Sequence, residues 1–278
     1  MADRKFIKMH GLGNDFVVLD RRADGGTIPA DLARALADRH RGVGCDQVIV
    51  IGESGTGLGD VGLRFYNADG GESGACGNGT RCVGALLMDE RGDDHLVVET
   101  LHGLLDIDKA AGGLVTVDMG PARIEWQEIP LAAAADTLHL GIAEGPLNDP
   151  VAVSMGNPHA VFFVDDAEAI DLARYGPKLE HHKIFPDRAN IGVAQLAGPD
   201  RLRLRVWERG AGLTLACGSG ACAATVAAHR RNLTGRKVEI VVDGGSLAME
   251  WLENGHVLMT GPVATAFAGE LDASLVSG

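Results

Sequence analysis

The sequence has no Lys/Arg cluster. Its formal net charge is −13, and its densest basic stretch, Arg201 to Arg209, is interleaved with apolar residues as a strand would be. That balance argues against nucleic acid or an anionic membrane as a partner, because both reward clustered cations. No apolar run is long enough to span a bilayer, and Met1 to Lys8 is charged where a signal peptide would be apolar. A soluble cytoplasmic protein is expected, and in that compartment the five cysteines are reduced thiols rather than a disulfide scaffold. Zinc ligation is not expected either, since the Cys76/Cys82 and Cys217/Cys222 spacings lack close ligand pairs. Heptads and low-complexity tracts are absent. Gly52 to Asp60 is glycine-rich but does not match a dinucleotide loop and reads as a hairpin. The six lysines sit in charged or surface-like contexts, which disfavours a pyridoxal phosphate enzyme.

What is present is an internal repeat. Ala75-Cys76-Gly77-Asn78-Gly79 and Ala216-Cys217-Gly218-Ser219-Gly220 lie 141 positions apart (76 to 217). Leu63-Arg64-Phe65-Tyr66-Asn67 aligns at the same offset with Leu204-Arg205-Val206-Trp207-Glu208, Gly103 with Gly244, and Gly120-Pro121 with Gly261-Pro262. With 278 residues and 46% hydrophobic content, each copy can bury a core of its own. Two domains are expected: residues 1–120 with 265–278, and residues 121–264.

Each copy opens with an apolar run that reads as a strand, within Phe6 to Asp20 and within Val151 to Asp165. The pattern predicts a helix over Pro29 to Arg41, and its counterpart over Asp166 to Arg174 with Pro177 just beyond. Further helices are predicted after the cysteine loops, over Thr80 to Arg91 and Ala221 to Arg231. Helices this apolar on most faces are central and buried. Strands follow in both copies: His95 to Thr100, Gly103 to Asp108 and Leu114 to Met119, then Lys237 to Val242, Leu247 to Leu252 and His256 to Thr260. The tail, Ala264 to Val276, falls after the second copy and is expected to return to the first domain as an added strand. The fold class is therefore α+β, with two pseudo-symmetric domains of many strands around a central helix.

The chemistry centres on the repeated cysteines. An ordinary free cysteine is an inert core thiol, and Cys45, Cys82 and Cys222 are read that way. Cys76 and Cys217 each precede Gly-x-Gly at the start of a predicted helix. There the unpaired N–H groups and the helix dipole favour an anion. That setting is expected to lower a thiol from ~8.5 into ~3.5–7.5. Two opposed thiols across a pseudo-twofold axis are what a reaction needs to take a proton from one face of a carbon and return it to the other. General acid–base catalysis supplies only ~10²–10⁴-fold. The helix N-termini would have to stabilise charge developing on a carboxylate, at ~2.7–4 kcal/mol per well-placed donor. The copies diverge at Asn67 against Glu208, with Arg209 following, as expected of a site for an asymmetric ligand.

The blocks Lys8-Met-His-Gly-Leu-Gly-Asn-Asp-Phe16, Gly44-Cys-Asp-Gln47, Phe65-Tyr-Asn-Ala-Asp-Gly70, Cys76-Gly-Asn-Gly-Thr-Arg-Cys82, Ser154-Met-Gly-Asn-Pro-His159, Glu208-Arg-Gly-Ala-Gly212 and Ala216-Cys-Gly-Ser-Gly-Ala-Cys222 resemble the diaminopimelate epimerase family. The resemblance runs over nearly the whole chain. It implies a cofactor-independent interconversion of LL- and meso-diaminopimelate, for lysine and peptidoglycan precursors, by a homodimer of two-domain subunits with the site in the cleft between the domains. It implies that Cys76 and Cys217 are the acid–base pair. Gly77 with Asn78, and Gly218 with Ser219, would hold the reacting carboxylate through backbone N–H groups. Asn14, Gln47, Asn67, Asn157, Asn190, Glu208 and Arg209 would line the substrate pocket. Arg209 suits the distal carboxylate and Glu208 a substrate ammonium, while His159 and Glu208 would tune the thiols. Taken singly, Asn14 and Asn157 read more readily as turn residues, while Gln47 has an alternative reading as a solvated strand residue and His159 as a satisfied histidine. Leu213 stands where many members carry Glu. A proline racemase-like enzyme of the same fold, and a thiol redox sensor, are the rival readings.

Overall fold

A computed structural model describes residues 4–276. The charged start at Met1 to Asp3 and the last two residues of the 265–278 segment lie outside the described residues. The chain is mixed α+β and divides into two compact units, residues 1–117 with 261–278, and residues 118–260.

The first unit opens with β1 (Lys5–Gly11) and β2 (Asn14–Asp20), joined through Leu12 and Gly13, both at positive φ. It continues through α1 (Ala30–Ala37), β3 (Gln47–Gly52), β4 (Val61–Asn67), the short β5 (Glu72–Ser73), α2 (Gly77–Arg91), β6 (His95–Thr100), β7 (Gly103–Ala110) and the start of β8 (Leu114–Pro121). β1 and β2 pair antiparallel, β2 and β3 parallel, β3 and β4 antiparallel, β4 and β6 parallel, and β6, β7 and β8 antiparallel in turn. The terminal strand Ala264–Glu270 adds antiparallel to β1, so the chain's end closes the unit that its beginning opened.

The second unit contains β9 (Ala143–Glu144), β10 (Leu147–Asn148), β11 (Val151–Ser154), β12 (Pro158–Phe163), α3 (Leu172–Glu180), β13 (Asn190–Gly198), β14 (Arg201–Glu208), β15 (Gly212–Leu213), α4 (Gly218–Arg230), β16 (Lys237–Val242), β17 (Gly245–Trp251) and β18 (His256–Gly261). From β11 to β18 its pairings follow the same order: antiparallel, parallel, antiparallel, parallel, then antiparallel twice. The repeat thus extends from the motifs to the sheet topology.

In each unit the helix after the cysteine is the one wrapped by strands. α2 packs on β1, β2, β6 and β7, and α4 on β11 to β14, β16 and β17. Small residues permit this. A Cβ on Gly84 would lie 2.6 Å from Ile107 Cγ2, and one on Gly79 would lie 2.7 Å from Ile49 Cδ1. In α4 the run Ala221 to Ala228 is wholly buried. The outer helices cover the other side of each sheet: α1 over Val48, Val50 and Tyr66, and α3 over Ile191 and Val193.

Two predicted helices shift. The first is shorter than Pro29 to Arg41. The Asp38 carboxylate accepts from the N–H groups of His40 and Arg41 and turns the chain out of the helix. The second is displaced, because Asp171 rather than Asp166 is its N-cap, accepting from Arg174 N–H at 3.2 Å. Asp166 instead folds locally onto Glu168 N–H, and Arg205 holds the carbonyls of Ala167 and Ile170 before the helix begins. Pro177 therefore falls inside α3 and not beyond it.

The close approach of α2 is testable. Gly84→Val is expected to lower unfolding stability by about 1–3 kcal/mol through overpacking, read in urea. Adding Ile107→Ala should recover part of the loss, and an unchanged urea midpoint in the single variant would contradict the packing argument.

Candidate active site

Cys76 and Cys217 both occupy N-cap positions, with extended backbone at φ −147° and −114°. Their carbonyls accept the first helical hydrogen bonds, from Thr80 and Ala221. Neither helix carries an acidic residue in its first turn, so the positive end of each dipole is unopposed there.

In the first unit Asn14, Cys76 and Asn78 come together. The Cys76 thiol faces Asn14 Oδ1 at 3.8 Å, and Asn78 Nδ2 donates to that same oxygen at 3.2 Å. Asn14 Nδ2 donates to Asp46 Oδ2 at 2.8 Å, which orients the amide with its oxygen toward the thiol. Asp46 is held in turn by Arg39, which also grips Asp15. Burial pushes the Asp15 carboxyl up, but hydrogen bonds from Arg39 and Lys8 outweigh it and hold it well below the usual carboxylate range. Gln47 and Asn67 are register partners on β3 and β4, and Gln47 Nε2 donates to Asn67 Oδ1 at 2.8 Å. Gly77 and Asn78 are the first two residues of α2, where backbone N–H groups have no intrahelical acceptor.

In the second unit Asn157, His159, Asn190, Cys217 and Ser219 form one hydrogen-bonded set. His159 Nε2 lies 3.0 Å from Asn157 Oδ1 and 3.1 Å from Ser219 Oγ. Asn190 Nδ2 donates to the Pro158 carbonyl at 3.2 Å. The Asn190 side-chain Oδ1 accepts from Arg209 N–H at 2.8 Å. Ser219 Oγ is 3.7 Å from Cys217 Sγ, and Gly220 N–H donates to that sulfur at 3.3 Å. A Cβ on Gly220 would stand 3.2 Å from the sulfur, so glycine keeps that donor close. Glu208 accepts from Thr214 Oγ1, and the Arg209 guanidinium donates to the Asp187 carbonyl at 2.9 Å. Gly218 and Ser219 are the first two residues of α4.

The electrostatics of this unit correct one expectation. The helix N-terminus was expected to depress both thiols. Cys217 is instead pushed well above the ordinary thiol value, first by burial and next by the Glu208 carboxylate, which together outweigh the bonds from Ser219 and Gly220. The dipole acts on a group that is largely withdrawn from water, and solvation loss dominates. His159 is pushed down to about 3 by burial and by the Arg209 charge. It is neutral at physiological pH, and it meets the Ser219 hydroxyl, which in turn lies near the thiol. Cys45 and Cys82 are each pushed up to about 12 by burial, as suits core thiols. None of the five cysteines forms a disulfide. Among the described residues there is no cluster of three or more His, Cys, Asp or Glu side chains that could hold a metal ion, and no helix long and apolar enough to cross a membrane.

Asp46, Thr214 and Glu180 were missed by sequence reasoning. Asp46 could have been found, since it immediately precedes Gln47 within a motif block. Glu180 lies in Leu-Glu-His-His, which reads as a polar helix end. Yet its carboxylate is buried and accepts from Trp207 Nε1 at 2.7 Å, Gly210 N–H at 3.0 Å and Arg188 at 3.2 Å.

The duplicated α+β architecture is a fold shared with a solved epimerase. A solved hydroxyproline epimerase from Agrobacterium vitis aligns over 98% of this chain and 93% of its own, with TM-score 0.68 and 16% sequence identity, a likeness of fold alone. The family profile for diaminopimelate epimerase matches residues 6–125 and 151–266. Diaminopimelate epimerases from Rhodospirillum centenum and Acidiphilium cryptum are 60% and 59% identical, over 99% of this chain and 94% and 99% of theirs. The chain belongs to the diaminopimelate epimerase family.

Replacing Glu208 tests the electrostatics directly. Its carboxylate disfavours the Cys217 thiolate, so Glu208→Gln is expected to lower the pH at which Cys217 ionises. Thiolate absorbance during a pH titration, referenced to Cys217→Ala, reads this. An unchanged midpoint would contradict it.

Proposed function

We propose that this protein interconverts LL- and meso-diaminopimelate, with Cys76 and Cys217 as the two acid–base groups of one turnover. The observation that carries the reading is the repeated placement of a cysteine as N-cap of a buried glycine-led helix, in a chain of this family. In one direction a thiolate takes the proton from the substrate α-carbon, and the C–H electron pair passes into the adjoining carboxylate as an enediolate-like charge. The other thiol then delivers its proton to the opposite face of the carbon. The two sulfurs end with exchanged protonation states, and the reverse reaction exchanges their roles. No redox step or external proton acceptor is needed within the turnover.

Burial and Glu208 keep Cys217 protonated, which suits it to be the proton donor to the carbon at the start of a turnover. The base is then Cys76. The N–H groups of Gly77 and Asn78, and of Gly218 and Ser219, are the donors for the reacting carboxylate, where charge develops. Asn14, Gln47, Asn67, Asn157, Asn190, Glu208 and Arg209 bind the remainder of the substrate. Arg209 turns from the Asp187 carbonyl to a carboxylate, a stronger, bidentate partner. Neutral His159 acts on Cys217 through the Ser219 hydroxyl, as a hydrogen-bond partner and not as a cation. The Asn67/Glu208 divergence favours a substrate with a second amino-acid end over proline. A homodimer working in the cytoplasm, where lysine and peptidoglycan precursors are made, completes the proposal, and sedimentation equilibrium tests the dimer.

Removing either thiol is the direct test. Cys76→Ala and Cys217→Ala are each expected to lower epimerisation of LL-diaminopimelate by at least ~10²-fold, with proline not turned over by the wild type. Near-normal epimerisation by either variant would end the two-base reading.

A further inference from the structure

We infer that Glu180, at the end of α3, is a positioning residue that sets the Glu208–Arg209 segment for recognition of the substrate's far end. Glu180 is 4% exposed, an uncommon state for a carboxylate unless it is paired and hydrogen-bonded. Its partners account for that burial, and none of them is a residue assigned to substrate. Trp207 Nε1 donates to Oε2 at 2.7 Å, while Gly210 N–H donates to Oε1 at 3.0 Å. These two donors bracket Glu208 and Arg209 in the chain. Arg188 donates to Oε1 at 3.2 Å, and Ala189 N–H donates to the Glu180 backbone carbonyl at 3.1 Å. Those contacts fix the approach to Asn190, whose own side chain receives the Arg209 N–H.

One carboxylate therefore ties down both segments that carry the polar groups distinguishing this half of the repeat. The helix that presents Glu180 reinforces the contact one turn earlier. A Cβ on Gly176 would fall 2.5 Å from Trp207 Cγ, so the indole lies directly on the α3 backbone. Gly210 adopts a left-handed φ of 76°, and its N–H is aimed at Glu180 by that turn. The first unit has an analogous device of opposite charge. Arg39, just past α1, ties Asp46 beside Gln47 and Asp15 beside Asn14. In both copies a charged residue at or just past the end of the outer helix holds groups that flank binding residues.

The chemistry of the three donors makes the role separable from bulk stability. Glutamine at 180 retains one acceptor oxygen, but its amide N–H₂ must then face either the Trp207 indole N–H or the Gly210 N–H, a donor against a donor. Glu180→Gln should free the 207–212 segment while leaving the thiols in place. Trp207→Phe removes one of the opposed donors, so it should relieve the Glu180→Gln defect in the double variant.

The kinetic arm of the test rests on the epimerase reading, and the exchange arm does not. Amide hydrogen exchange of the 207–214 segment is measured in the substrate-free protein, with KM and kcat for LL-diaminopimelate measured in parallel. Glu180→Gln is expected to speed exchange and raise KM by about tenfold, the size of one charged hydrogen bond, with kcat changed far less. Glu180→Gln/Trp207→Phe should recover part of both. Should Glu180→Gln fail to fold, Trp207→Phe alone carries the test, with a smaller rise in both quantities expected. Exchange and KM at wild-type values in the folded variant, or a fall in kcat with KM unchanged, would overturn the assignment. A wild-type protein inactive on diaminopimelate would sink the epimerase reading alone, and the exchange result would still decide the anchor.

Discussion

Each unit is organised around a helix whose body is buried and whose first turn carries a thiol. That requires the helix to be narrow. Gly79 and Gly84 in α2, and the alanine run in α4, let strands approach where ordinary side chains would hold them off. At Gly220 the same smallness keeps a backbone N–H close to the Cys217 sulfur. Packing and chemistry therefore both call for small residues along the same two helices, which fits the likeness of the two glycine-rich loops.

The two thiols do not have equivalent surroundings. Cys76 faces an amide oxygen that Asp46 has oriented. Cys217 is enclosed, with a carboxylate as neighbour and a serine linking it to a neutral histidine. A helix dipole worth a fraction of a charge does not overcome burial together with a nearby negative charge. The substrate would alter this balance, since an ammonium meeting Glu208 would neutralise the group that opposes the Cys217 thiolate. On the proposed two-base reading, that asymmetry suits Cys217 to begin protonated, with Cys76 as the base.

Much of the fold was legible from the amino acids, because the signals were local. The 141-residue offset between Cys76 and Cys217 exposed the duplication, and the apolar runs and glycine stops located most strands and both central helices. The α3 boundary was misplaced because Asp166 and Asp171 are both plausible caps, and only contacts from Arg205 on distant β14 decide between them. The protonated state of Cys217 was illegible for the same kind of reason. Its cause is enclosure and the approach of Glu208, neither of which spacing reveals. Glu180 looks like a surface charge until α3 is folded onto its sheet, where the carboxylate is buried.

The central claim is that two sulfurs, and not one, handle the proton. The isotope pattern of a single turnover in D2O tests it most directly, with protium-bearing LL-diaminopimelate as substrate. Two bases require solvent deuterium at the inverted carbon of the first meso product, while recovered LL substrate keeps its protium. A single base that returns the proton it removed would leave protium in the product, or would wash deuterium into substrate and product equally from the outset, and either result would contradict the account.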